Sequence, residues 1–140
     1  MTRLRKSTAI LHPLSAAAAN MHLQDEVDAL KEKIKGLEAE NVELKRKIEE
    51  LDQKIEELER KIEELEAENQ GLRDQLKVTK SPEERENICV HITANESKIT
   101  TNQTTITAIH DEITANQTTI TANHTTITEY LKKINVTTTT

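Results

Sequence analysis

Residues 92–127 read ITANESKITTNQTTITAIHDEITANQTTITANHTTI, and isoleucine recurs at every seventh place: Ile92, Ile99, Ile106, Ile113, Ile120 and Ile127. Ile134 continues the series, and three places after most of these stands an asparagine, Asn95, Asn102, Asn116 or Asn123. A β-strand alternates its side chains with period two, so a seven-residue repeat would send successive isoleucines to opposite faces. A helix keeps them on one stripe. The period predicts a helix, although isoleucine and threonine each favour strands. With isoleucine at heptad position a, position d holds Asn95, Asn102, Ile109, Asn116, Asn123 and Tyr130. Threonine fills much of the remainder and costs roughly half a kcal/mol per residue relative to alanine in a helix. Only association can hold this segment helical.

Upstream, residues 23–76 carry a second seven-residue pattern. Placing Leu23 at d makes Leu30, Leu37, Leu44, Leu51, Leu58, Leu65 and Leu72 the following d residues without exception. Position a then holds Val27, Ile34, Asn41, Ile48, Ile55, Ile62, Asn69 and Leu76. A seam this strict winds helices around one another left-handedly. In a parallel, in-register pair, position g of one helix faces e of the next heptad on its partner. Those pairs are Glu26 with Lys31, Lys33 with Glu38, Glu40 with Lys45, Lys47 with Asp52, Lys54 with Glu59, Lys61 with Glu66, and Glu68 with Arg73. All are opposite in sign. Each exposed pair contributes only about 0.3–0.5 kcal/mol, but their agreement selects one register. The pattern predicts parallel self-association. Asn41 and Asn69, polar at position a, are expected to set the register at a cost in stability.

Between the blocks, residues 77–87 contain Ser81, Pro82 and a charge cluster at 83–86, and the isoleucine phase slips by two. Pro82 disfavours helix at Ser81 and suits the first turn of a new one. Ser81 followed by Glu84 fits a capping box. The expected organisation is an N-terminal docking segment at 1–20, a charged Ile/Leu coiled coil at 21–79 and a joint at 80–91. A Thr-rich Ile/Asn coiled coil at 92–134 and a polar tail at 135–140 follow.

Composition excludes several alternatives. The chain has no Trp or Phe, one Tyr, two Gly and two Pro, with 34% apolar and 31% charged residues. That suits a seam, where two positions in seven need burial, and not a globular core. Net charge is −6 despite a basic start at Arg3, Arg5 and Lys6, so nucleic-acid binding along the length is not expected. Residues 7–22 contain neither Lys nor Arg, which excludes the basic helix that must precede a DNA-binding leucine zipper. No apolar run is long enough to span a bilayer. A lone Cys89 excludes an intrachain disulfide framework, with an interchain disulfide as the secondary reading. The histidines His12, His22, His91, His110 and His124 lack ligand spacing, and no catalytic constellation is present, so no enzyme and no metal site are expected.

The repeats ITANESK, ITTNQTT, ITANQTT and ITANHTT resemble the stalks of trimeric autotransporter adhesins over residues 92–134. That family places asparagine at d of a parallel three-stranded coiled coil through I-x-x-N-T-x-x heptads. The residue after asparagine, threonine in that family, is Glu96, Gln103, Gln117 or His124 here. The resemblance implies that Asn95, Asn102, Asn116 and Asn123 each form an axial layer holding an anion such as chloride; no other cofactor is expected. The layout is also similar to fibritin-type virion fibres, trimeric coiled coils tethered by an N-terminal segment, and the N-terminal half resembles a leucine zipper. The first four asparagines also begin glycosylation sequons, but an axial asparagine cannot carry a glycan; Asn135 could.

Residues 2–20 are basic at the tip and mildly apolar through Ile10, Leu11 and Leu14, which makes Arg3, Arg5, Lys6 and these three the candidate docking residues. A secretory signal is only loosely mimicked, because His12 and Pro13 interrupt a short apolar run. The expectation is an all-α, elongated parallel coiled coil with a phase break near Pro82. Its partners are its own copies, a trimer favoured over a dimer, and a larger assembly at the N-terminus. The trimer is favoured because repeated Asn at d is hard to satisfy in a dimer. The expected role is a non-catalytic fibre or stalk at a virion surface or outside the cell. An adhesin stalk or a cytoplasmic coiled-coil scaffold or dimerisation module is the alternative.

Overall fold

The computed structural model describes the backbone of residues 2–139 and the side chains of residues 17–138. It is all-α: α1 spans Thr2–Val78 and α2 spans Pro82–Thr139, with no strand among the described residues. The helices form two units, Leu44–Thr118 and Met1–Glu43 with Thr119–Thr140. Each unit pairs a stretch of α1 with a stretch of α2.

In the unit Leu44–Thr118 the two helices are joined by residues 79–81 alone. A connection this short can only join helices that run antiparallel. Thr79 ends α1 by donating both its N–H (3.1 Å) and its hydroxyl (2.7 Å) to the Gln75 carbonyl. Ser81 begins α2: its carbonyl accepts from Arg85 N (3.0 Å) and its hydroxyl from Glu84 N at a long 3.4 Å. Arg85 closes the turn. Its guanidinium Nη1 donates to the carbonyls of Leu76 (2.7 Å) and Thr79 (2.9 Å), placing a cation on the negative end of α1.

Within residues 44–76 and 88–118 of this unit, every a and d position is buried or half-buried and every other position is exposed. The core is correspondingly narrow. Leu51 and Ile55 of α1 meet Ile109 and Ile113 of α2, and Ile48, Leu58 and Ile106 pack against them. The heptad assignment of both blocks is therefore the burial pattern of the helices. Within the chain, the a and d residues of this stretch of α1 lie against those of α2, running the opposite way.

The other unit repeats the scheme by itself. Val27, Ile34 and Asn41 of α1 and Asn123 and Ile127 of α2 are buried. Leu30, Leu37, Ile120, Tyr130 and Ile134 are half-buried beside them. The Tyr130 ring lies 5.8 Å from Lys33 Nζ and 5.9 Å from Lys133 Nζ, so the lone aromatic is held by cations from both helices.

The threonines of α2 survive in a helix by turning inward on its own backbone. Thr100, Thr104, Thr107, Thr114 and Thr118 each donate a hydroxyl to the carbonyl four residues before, at 2.9–3.1 Å. This satisfies the hydroxyls but adds no packing. Elsewhere, Gly36 and Gly71 weaken α1 for no local reason. Neither has positive φ, and a Cβ at either would meet nothing within 4 Å. Gly71→Ala is expected to stabilise the protein by about 0.5–1 kcal/mol, read as a rise in the thermal midpoint by circular dichroism, and Gly36→Ala likewise.

Candidate functional site

The seam is interrupted at its polar positions, and two asparagines from α1 meet two from α2. In the unit Leu44–Thr118, Asn95 Nδ2 donates to Asn69 Oδ1 at 2.8 Å. Asn69 Nδ2 in turn donates to the Ile92 carbonyl at 3.3 Å. Among the described residues these are the largest fully buried side chains, at 1% and 2% exposure. In a water-excluded seam such a paired amide costs little, whereas an unpaired one costs roughly 1–3 kcal/mol. Two polar contacts flank this layer on its outer edges: the Arg73–Glu96 ion pair at 3.3 Å, and His91 Nε2 against Glu68 Oε1 at 2.8 Å.

The second pair lies in the other unit, where Asn123 Nδ2 donates to Asn41 Oδ1 at 2.8 Å. It is less well satisfied. Asn41 is only 4% exposed, yet its Nδ2 has no hydrogen-bond partner. Asn41 and Asn69, expected from the sequence to set the register, are thus brought together with Asn123 and Asn95, residues expected to face their own copies.

Asn102 and Asn116 fare differently. The register that joins Asn69 to Asn95 sets Asn116 opposite Ile48 and Asn102 opposite Ile62. Asn116 Nδ2 is buried without a partner. Asn102 lies in a shallow cleft with Lys61, Glu64, Leu65, Glu68 and Lys98. The four asparagines therefore do not act alike within one chain: Asn95 and Asn123 are paired, Asn116 keeps a buried donor without a partner, and Asn102 lines a cleft.

The remaining candidates are quickly placed. The side chains of Arg3, Arg5, Lys6, Ile10, Leu11 and Leu14 lie outside the described residues. Cys89 is exposed. Among the described residues no group of three or more His, Cys, Asp or Glu is placed to hold a metal ion, and no helix is long and apolar enough to cross a membrane. Asn135 takes part in α2 near its end.

Sequence reasoning did not anticipate Arg85, which sits inside a charge cluster and gives no signal of its own, or the pairing of the asparagines across blocks. The latter does have a signal. Asn41 and Asn69 stand four heptads apart, and so do Asn95 and Asn123. Comparison of the chain with protein-family models, curated proteins and solved structures gives no match.

Proposed function

We propose that the chain is a non-catalytic structural element, a coiled-coil stalk or fibre that assembles with copies of itself and is attached to a larger assembly through its N-terminal segment. The supporting observation is where burial falls: on a and d positions over residues 44–76 and 88–118, leaving the outer faces there to solvent. Such a chain spends its apolar residues on length and stiffness rather than on a concave pocket. The opposite-sign g and e charges of α1 favour a parallel assembly. The asparagines at d of α2 favour three strands, because three amides around an axis can share an anion such as chloride. A virion surface is the location this reading prefers, with an extracellular adhesin stalk next.

A second reading is favoured by one observation. The seam closes within the chain in each unit, which suits a self-contained antiparallel spacer inside a cytoplasmic scaffold. Mass spectrometry of purified particles and of membrane and soluble fractions from the native source separates the two. Enrichment of the chain in particles supports the fibre, and recovery only in the soluble fraction overturns it.

A further inference from the structure

The surface of α1 carries a code that its present partner answers only in part, with Arg73 against Glu96 at 3.3 Å and Glu68 against His91 at 2.8 Å. Its flanking charges match a second α1 laid parallel and in register, in seven pairs from Glu26 with Lys31 to Glu68 with Arg73. Within one helix these residues cannot reach each other across a seam. At its flanking positions in the unit Leu44–Thr118, α2 offers Glu96, Lys98 and Glu112 interspersed with the uncharged Gln103, Thr105 and Gln117, a pattern unlike the strict alternation of α1.

The polar layers are answered only in part as well. Asn95 donates to Asn69, and Asn69 to the Ile92 carbonyl, but Asn41 and Asn116 keep buried Nδ2 donors without partners. In a parallel, in-register pairing of α1 with a second α1, Asn41 would face its own copy across the seam, with an amide oxygen in the same layer, while Asn116 would leave the seam with α2. Charge and hydrogen bonding, two independent observations, both favour a second copy of this chain over α2.

We propose that α2 is an internal cap on a self-association seam: a second copy of the chain displaces α2 and pairs with α1, parallel and in register, over residues 23–76. The inference rests on the parallel rod proposed above and adds its regulation. The closed chain is the resting form, and concentration of copies at an assembly site is what opens it. The paired Asn41/Asn123 and Asn69/Asn95 layers hold the cap in one register, while the mismatched layers at Asn102 and Asn116 keep it displaceable. Capping of this kind prevents self-association before the chain reaches the place where it is needed.

Sedimentation velocity of the full chain over a wide concentration range tests this. The double variant Asn95→Ile with Asn123→Ile breaks the cap's polar layers and leaves the α1 code untouched. It should assemble at a concentration at least tenfold lower than the parent. Adding Lys47→Glu, Lys54→Glu and Lys61→Glu places like charges at three of the parallel pairs and should raise that concentration again by tenfold or more. A separate variant, Leu72→Cys with Ile92→Cys on a Cys89→Ser background, ties α1 to α2 across the seam when oxidised. Its oxidised form should remain a monomer where its reduced form assembles, with helicity followed by circular dichroism in both. A parent that is oligomeric at every concentration, with the oxidised form equally so, overturns the cap but spares the rod. Monomers from every variant overturn both.

Discussion

Asn116→Ile is expected to stabilise the protein by about 1–2 kcal/mol, and Asn95→Ile to destabilise it by a similar amount. The two residues occupy the same heptad position in near-identical repeats, so sequence alone assigns them one sign. Their surroundings differ. Asn116 buries a donor with no partner and stands opposite Ile48, so isoleucine removes an orphan and adds apolar contact. Asn95 supplies the 2.8 Å hydrogen bond that satisfies Asn69 Oδ1, so isoleucine there leaves a buried acceptor unpaired. Replacing both Asn69 and Asn95 with isoleucine should recover the loss, because the layer is then apolar on both sides. Urea titration of the four proteins measures this directly. A rise in stability for Asn95→Ile alone would show that Asn69 and Asn95 do not face each other.

Most of the fold was legible in the sequence, and what escaped it has a physical reason. The a and d assignments follow from the period of seven, since any helix with such a stripe must bury it, and the burial of Val27, Ile34, Leu51, Ile55, Ile109 and Ile113 accords with them. The helix break was legible too, because Ser81 and Pro82 carry local backbone preferences that need no tertiary context. What covers the stripe is a different kind of question. A stripe of isoleucine and leucine accepts another such stripe from the same chain or from a copy, parallel or antiparallel, at nearly equal gain.

Only the polar residues discriminate, and here they disagree. The charges beside the seam of α1 point to a parallel copy. The equal four-heptad spacing of Asn41 to Asn69 and of Asn95 to Asn123 points to α2, because sliding α2 by one heptad would leave only one asparagine pair in place of two. Each signal is worth a few kcal/mol at most against a much larger apolar term. That is why the site, unlike the fold, could not be settled by reading periodicity.

Ile109→Asn is expected to have a large effect, a loss of about 2.5–6 kcal/mol. Ile109 is the one exception in the run of d residues Asn95, Asn102, Asn116 and Asn123, and it lies in the cluster with Leu51, Ile55 and Ile113. Asparagine there forfeits roughly 1.5–3 kcal/mol of apolar burial. It also strands an amide among aliphatic side chains, at a further cost of about 1–3 kcal/mol. Ile109→Val, which keeps the chemistry and removes one methyl, should cost only about 0.5–1.5 kcal/mol. The partner residue then becomes identifiable. If Ile55 faces Ile109 within the chain, Ile55→Asn combined with Ile109→Asn builds a third asparagine pair, and the double variant loses less than the two single losses added together, by about 0.5–3 kcal/mol. In a parallel trimer, residue 109 would meet only its own copies, Ile109→Asn would extend the column of axial amides, and Ile55 would lie too far away to couple. A double-mutant cycle from thermal or urea unfolding gives the coupling energy. A value near zero, together with a mild effect of Ile109→Asn, would reject the closed chain in favour of the open rod.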